Sequence, residues 1–95
     1  MRSYELGIIL HPQLEQDSVQ QAVDKVSKYI EAGGGSVSST NVWGRRTLAY
    51  PIQRQSEGTY VFVQAQLEAR ALAELERNLK LDENILRYLL VCLEE

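Results

Sequence analysis

The sequence predicts an α+β fold in which two helices cover one face of a four-stranded antiparallel sheet. Two segments carry apolar residues at helical spacing and four others are extended in character, in the order βαββαβ. The chain has 95 residues, of which 44% are apolar and 24% charged. This composition predicts a single domain, residues 1–95, with a modest core.

The first strand and the first helix are predicted from their different hydrophobic periods. Alternation near the start of the chain places four apolar side chains on one face of a strand: Tyr4, Leu6, Ile8 and Leu10. After Pro12, apolar residues recur at helical spacing: Val19, Ala22, Val23, Val26 and Ile30. Asp17 or Ser18 is the expected cap of this helix, and the glycines at 33–35 are expected to end it.

The next two elements are strands. The second strand is predicted to begin at Ser36 and to extend to Tyr50, and Pro51 beyond it suits an edge strand. A polar loop is predicted over 53–58. It leads into the clearest strand of the chain, residues 59–67, in which β-branched and aromatic residues alternate in two sets.

A second helix and a fourth strand complete the order. Residues 69–81 are rich in helix formers, with a narrow apolar stripe of three leucines: Leu72, Leu75 and Leu79. After a turn at 82–84, residues 85–93 are almost wholly apolar, which predicts a strand with little exposed face. Because both helices need a sheet to cover and right-handed crossovers are favoured, we expect a ferredoxin-like split β-α-β sandwich.

With both helices on one side, the other side of the sheet is expected to stay open. Alternation puts Ile9, Tyr60 and Phe62 on this side, with Leu89 and Val91 as candidate neighbours. An uncovered apolar face usually marks contact with a partner. Five further residues are assigned to the core: Tyr4, Tyr29, Trp43, Tyr88 and Cys92.

The charge of the chain is uneven. The whole sequence carries −3, yet residues 32–56 contain Arg45, Arg46 and Arg54 and no acidic residue, so this segment is +3 and the rest sums to −6. Planar guanidiniums chelate phosphate oxygens, and concentrated arginine displaces counterions from a nucleic acid backbone. The segment therefore predicts a nucleic acid-binding surface on an acidic protein.

Several classes of function are disfavoured. A single cysteine, Cys92, and a single histidine, His11, cannot build an internal disulfide or a His/Cys metal site, and no Ser/His/Asp set is evident. No apolar run approaches the roughly 20 residues of a membrane span, and the N-terminus lacks a signal-peptide pattern. We expect a cytoplasmic protein with no enzyme activity, metal, cofactor, small-molecule substrate or membrane partner.

Four stretches of the chain resemble one family. The residues at 1–5, 44–52, 58–60 and 84–88 stand in the order and spacing of the sixth protein of the bacterial small ribosomal subunit. The run Arg-Arg-x-Leu-Ala-Tyr-Pro-Ile within the second stretch is specific, whereas the helices are generic. The resemblance spans essentially the whole chain.

The resemblance implies a structural protein of the small ribosomal subunit. Such a protein would bind the central domain of the small-subunit rRNA together with the eighteenth small-subunit protein during assembly. By position, the resemblance implies five candidate RNA contacts: Arg2, Arg45, Arg46, Arg54 and Arg87. It also implies three candidate packing surfaces for the partner protein or RNA: Tyr50, Tyr60 and Phe62.

Some of these assignments have alternatives. Arg45 and Arg46 could be solvated or ion-paired, and because adjacent residues of a strand point to opposite faces, one of them is expected to face RNA directly. The other would serve the partner or a neighbouring strand. Arg87 lies either on the open face or beside a carboxylate such as Glu5, and Tyr50 either fills the core or stacks on a base.

Two other kinds of binding module share the βαββαβ order. An RNA-recognition motif would need a stacking ring on the first strand, where the outward residues are Glu5, Gly7 and Ile9. A ligand-sensing ferredoxin-like module would have a pocket or a dimer interface without affinity for RNA. Both are kept as alternatives.

Overall fold

The computed structural model describes residues 1–93 and contains the six elements in the predicted order. The strands are β1 (Arg2–Leu10), β2 (Ser36–Ile52), β3 (Gln55–Leu67) and β4 (Ile85–Cys92), and the helices are α1 (Gln16–Ala32) and α2 (Leu72–Leu81). The strands form one antiparallel sheet in the order β2-β3-β1-β4. The predicted ferredoxin-like fold is confirmed.

The core lies between the helices and one face of the sheet. Register pairs Leu6 with Val63 and Ile8 with Val61 across the two central strands, and all four side chains are at most 1% exposed. The predicted apolar stripe of α1 and the leucines Leu75 and Leu79 of α2 pack against them. Since burying a large apolar side chain contributes about 1.5–3 kcal/mol, this layer supplies most of the stabilisation.

Helix α1 ends as predicted, but its N-terminal cap is a different residue. Glu15 occupies the N-cap position without a side-chain capping bond, so the assignment of Asp17 or Ser18 as the cap was wrong. Asp17 lies in the first turn instead, where its charge complements the helix dipole. The glycines end the helix as predicted: Gly34 has φ +86°, and the amide of Gly35 donates across the last turn at 3.0 Å in a Schellman motif.

The β2–β3 hairpin is longer than predicted. β2 continues past Pro51 and β3 begins at Gln55, so the predicted polar loop over 53–58 was wrong. The turn consists of Gln53 (φ 50°) and Arg54 (φ 66°). Positive φ at both turn residues matches the twist of the flanking strands, as in type I′ hairpins. The polar residues thus belong to an exposed two-stranded arm rather than to a loop.

β4 lies at the edge of the sheet, which explains two wrong assignments. The composition of this strand predicted that little of it would be exposed. Leu89 is 64% exposed and Val91 44%, so one face of the strand is open to solvent. Cys92, at its end, is exposed and not a core residue. Only at the start of the strand are two consecutive residues buried, Ile85 and Leu86, so only there are both faces covered.

The margin of the core holds two of the three predicted core tyrosines. Tyr4 is buried, as predicted, whereas Tyr29 and Tyr88 are half-buried and pack against the core from outside. The predicted helix over 69–81 is divided, because Ala69–Ala71 form a 3-10 turn before α2. No helix within residues 1–93 is both long and apolar enough to cross a bilayer.

Candidate nucleic-acid interface

The face of the sheet opposite the helices, which we call the open face, carries apolar and aromatic side chains as predicted. Register places Ile9 beside Tyr60 and Gly7 beside Phe62 on the central strands. A Cβ at Gly7 would lie 3.1 Å from the Phe62 ring, so the glycine leaves room for that ring above β1. Two exposed residues of β4 complete this surface: Leu89 and Val91.

The end of the β2–β3 hairpin, residues 47–57, leans over part of the open face, and we call it the hairpin arm. Leu48 in the arm is buried, and a Cβ at Gly58 would come within 2.4 Å of the Ile9 Cγ2 atom. Between the arm, β1 and β4 lies an apolar groove of about 270 Å³. Its lining includes Ile9, Leu48, Tyr50, Tyr60, Phe62 and Leu89.

A hydrogen bond between opposite edges of the sheet bounds the groove. The guanidinium of Arg87 on β4 donates to the hydroxyl of Tyr50 in the hairpin arm. Arg87 therefore occupies the first of its two expected positions, on the open face and opposite Ile9 in register. No carboxylate of residues 1–93, Glu5 included, lies within ion-pair distance of it. Tyr50 is 56% exposed, so it does not fill the core.

The paired arginines point to opposite faces, as alternation predicts. Arg45 lies opposite Thr59, and its guanidinium donates to the backbone carbonyl of Pro12 between β1 and α1. Arg46 is directed to the other side, with its guanidinium carbon 5.7 Å from the centroid of the Trp43 ring. Arg46 is thus the member of the pair on the open face, while Arg45 holds a neighbouring segment.

Trp43 is exposed on the open face, and its assignment to the core was wrong. It is 52% exposed, and its ring centroid lies 4.7 Å from that of Phe62 with the planes inclined by 55°. The register of β2 shifts between Val42 and Gly44, and Gly44 has φ +89°. Trp43 keeps the open-face orientation that alternation gives it, and the bulge after it places Arg46 on the same face. The polar residue Asn41, two positions earlier on the strand, was the available sign of an exposed face.

Four of the five predicted RNA-contacting arginines lie at one end of the sheet. Arg54 occupies the exposed tip of the hairpin arm. Arg2 begins β1 opposite Leu67, which at about 3.3 Å per residue is roughly 26 Å from the end of β1 where the others lie. We call the group at that end the arginine cluster: Arg45, Arg46, Arg54 and Arg87.

The ion pairs lie away from the arginine cluster. Among residues 1–93 they join the N-terminal amine to Glu68, Lys25 to Asp82, and Arg77 to Glu74. No carboxylate of residues 1–93 therefore forms an ion pair with the cluster. The same part of the chain contains no group of three or more His, Cys, Asp or Glu placed to hold a metal ion.

A second polar cluster lies on the helix side and has a structural role. The Asp82 side chain is 1% exposed and accepts hydrogen bonds from the Tyr29 hydroxyl at 3.2 Å and the Asn84 amide at 3.0 Å. Its oxygen lies 3.8 Å from the Lys25 Nζ atom. The hydrogen bond with Tyr29 and the charge of Asp82 raise the pKa of Lys25, and burial raises the pKa of Tyr29. These bonds fasten the turn between α2 and β4 to α1.

The sequence model of the ribosomal protein S6 family matches residues 3–92 of this chain. The chain belongs to the ribosomal protein S6 family. The matched range includes the whole arginine cluster, the hairpin arm and the open face, and it leaves Arg2 just outside. The family predicted from the four stretches of sequence is therefore confirmed.

Relatives of this S6-family chain match it over nearly its full length. It is 46% identical over 87 residues to the small ribosomal subunit protein bS6 of Salinispora arenicola, covering 92% of this chain and 91% of the relative. It is 38% identical over 95 residues to that of Clostridium acetobutylicum, covering all of both. The crystal structure of 30S ribosomal protein S6 from Thermotoga maritima is similar at a TM-score of 0.90, with 27% identity over 96% of this chain and 86% of that one.

Membership of the S6 family makes the chain a protein of the small ribosomal subunit, located on the ribosome in the cytoplasm as predicted. The family is one of ribosomal structural proteins and not of enzymes. Family membership also favours the prediction of a ribosomal protein over the two alternatives, an RNA-recognition motif and a ligand-sensing ferredoxin-like module.

The sequence analysis missed the hairpin arm as a part of the site. The run from Leu48 to Ile52 is apolar between polar flanks, and it indicated an edge strand. Both of its ends line the groove together with Ile9. The available sign was Leu48. A large apolar residue on a strand segment that no helix covers has to be buried against another part of the sheet.

Proposed function

We propose that this S6-family chain binds the central domain of the small-subunit rRNA together with the eighteenth small-subunit protein during assembly. The observation that carries the proposal is that Arg46 and Arg87 lie on the open face beside the apolar groove, with Arg45 on the reverse side of the same end of the sheet and Arg54 at the tip of the arm. A cationic surface next to an apolar one suits simultaneous binding of RNA and of a protein. The proposal includes no catalytic step.

The arginine cluster is the proposed RNA-binding surface. Arg46, Arg54 and Arg87 are exposed, and none has a carboxylate of residues 1–93 within ion-pair distance. Arg54 occupies a turn position with positive φ, where Asn or Gly is the usual residue. Arg45 adds charge on the opposite face of the same strand, where its guanidinium donates to the carbonyl of Pro12. Arg2 is a separate candidate contact at the opposite end of β1.

The groove is the proposed site for the partner protein. Tyr50, Tyr60 and Phe62 provide aromatic surface along it, and Leu89 extends the apolar area onto β4. Buried aromatic anchors in a central pocket with a polar rim are typical of residues that dominate protein binding. Arg87 and Tyr50 form part of that rim.

Coupling between the two sites has a physical route in the bond between Arg87 and Tyr50. A partner seated in the groove would contact Tyr50, and this contact would fix the guanidinium of Arg87 that is proposed to bind phosphate. Each ligand then stabilises a surface used by the other, and their binding is cooperative in both directions.

The test is a titration of a central-domain rRNA junction fragment, with and without the eighteenth protein. We expect weak binding by the chain alone and tighter binding with the partner. If the four clustered arginines contact phosphates, the logarithm of the association constant should fall against that of salt concentration with a slope of roughly −3. An affinity that does not rise when the partner is added would reject the shared mechanism.

A matched pair of variants separates the arginine cluster from general charge. Arg54→Glu should weaken RNA binding by at least about tenfold, because it removes one phosphate contact and adds a repulsion. Arg70→Glu changes the same charge at an exposed position before α2. Equal losses in the two variants would mean that only the net charge of the chain matters, and the proposed surface would be wrong.

A further inference from the structure

We propose that Trp43 and Arg46 form a stacking site for an unpaired RNA base, on the half of the open face that the hairpin arm leaves uncovered. The inference rests on the proposed function and adds a residue and a type of contact to it. The ligand is a nucleotide in a loop, bulge or junction, since bases inside a duplex do not offer their faces to a side chain.

The indole of Trp43 is held in place at the surface. Phe62 supports it from the adjacent strand with ring centroids 4.7 Å apart, and Arg46 lies over the ring at 5.7 Å. The bulge at Gly44, with φ +89°, fixes the backbone that presents it. After both contacts, 52% of Trp43 is still exposed. A ring supported in this way loses little further freedom when a base stacks on it.

The surroundings of Trp43 favour a nucleotide over an apolar protein segment. The β2 residues that precede it on the same face, Ser39 and Asn41, are polar and exposed. An apolar segment docked here would remove water from the Arg46 guanidinium without offering a partner for its charge, which is unfavourable. A nucleotide supplies a flat base for the indole and a phosphate for Arg46.

Trp43 is the only tryptophan of the chain, so it reports on its own contacts. The experiment adds the rRNA junction fragment to the full chain together with a partner protein whose own tryptophans, if any, have been replaced. It follows the emission of Trp43. We expect strong quenching with the junction fragment and none with a fully paired RNA duplex of the same length. Quenching of equal strength by the duplex would overturn base stacking.

Affinity measurements on variants provide the second readout. Trp43→Ala should weaken binding of the junction fragment by about 5- to 100-fold without changing the salt slope, because stacking involves no phosphate. Trp43→Phe retains a ring and should recover most of the affinity. Leu81→Ala is the matched control, since Leu81 is an exposed apolar residue at the end of α2. An unchanged affinity in Trp43→Ala would overturn the inference.

The remaining outcomes separate this inference from the proposed function. If the wild-type chain binds the fragment with its partner while Trp43 emission stays constant, base stacking is wrong and the proposed function stands. If the partner alone shifts the emission to the blue and protects Trp43 from acrylamide, the site contacts protein and the inference is overturned. If no combination binds the fragment, the proposed function itself fails and the inference fails with it.

Discussion

The two halves of the open face share one sheet but differ in chemistry. Over β1 and β4, the hairpin arm encloses an apolar groove that includes Ile9 and Leu89. On β2, at the far side of Phe62, Trp43 and Arg46 lie uncovered. The difference follows from the arm, which crosses only one half. The length and lean of a single hairpin therefore decide which part of this face is an enclosed apolar groove and which part stays open.

The largest expected effect tests the groove half. Leu89→Asp should weaken binding of the eighteenth protein, measured by calorimetry without RNA, by about 100-fold, or roughly 2.7 kcal/mol. The reason is that the partner would bury a carboxylate that has no counter-charge. Leu81→Asp makes the same change at another exposed leucine, on the helix side, and should have little effect. Equal losses would remove the distinction between the groove and any other exposed apolar residue.

The next effect concerns how the arm reaches the groove. Gly58→Ala should lower the free energy of unfolding by about 1–3 kcal/mol, measured by urea denaturation, because the new Cβ would overlap Ile9. Gly7→Ala is the comparison. Its Cβ would lie 3.1 Å from the Phe62 ring, which has more room to shift, so we expect a smaller loss. A larger loss at Gly7 would mean that Phe62, and not the arm, is the more rigid part.

A third effect contrasts the paired arginines. Arg46→Ala should lower the magnitude of the salt slope for RNA binding by about 1, with stability unchanged, because it removes one phosphate contact. Arg45→Ala should instead lower the free energy of unfolding by about 1 kcal/mol through loss of the bond to Pro12. Salt titrations and urea denaturation of both variants check this. Identical behaviour of the two would contradict their opposite orientations.

The smallest effect provides a reference away from the open face. Tyr29→Phe removes the hydrogen bond to Asp82 and should lower the free energy of unfolding by about 0.5–1.5 kcal/mol, leaving RNA and partner affinities unchanged. The folded-state pKa of Tyr29 is raised above its usual value of 10.0, so the folded chain holds this proton more tightly than the unfolded chain. The stabilisation that protonated Tyr29 contributes is fully present below about pH 10, and it is lost as the pH rises through the raised folded-state pKa. The variant should show a weaker alkaline loss than the wild type; an equal loss would place the titration elsewhere.

Features set by local periodicity could be predicted from the sequence. The alternation of β1, the stripe of α1 and the opposite orientations of Arg45 and Arg46 each depend on a few neighbouring residues, and each was found as predicted. The glycine end of α1 likewise follows from the sequence, because positive φ at Gly34 is a property of that residue type.

Features set by contacts between distant segments could not be predicted. Whether the apolar residues of β4 are central or at an edge depends on strand order, so Cys92 was placed in the core. Which of the two adjacent arginines faces the open side depends on the bulge at Gly44, and this bulge appears only when β2 pairs with β3. The fold-back of the hairpin arm depends on Leu48 meeting a surface far away in the sequence.

The bond between Tyr50 and Arg87 has a consequence for rates. Tyr50 belongs to one outer strand and Arg87 to the other, so the bond joins the two edges of the sheet at the rim of the groove. Both side chains are exposed, and exposed side chains change rotamer within nanoseconds. The bond therefore breaks and re-forms many times during one encounter, so it should not slow association, and substitution of either residue should act mainly on the dissociation rate.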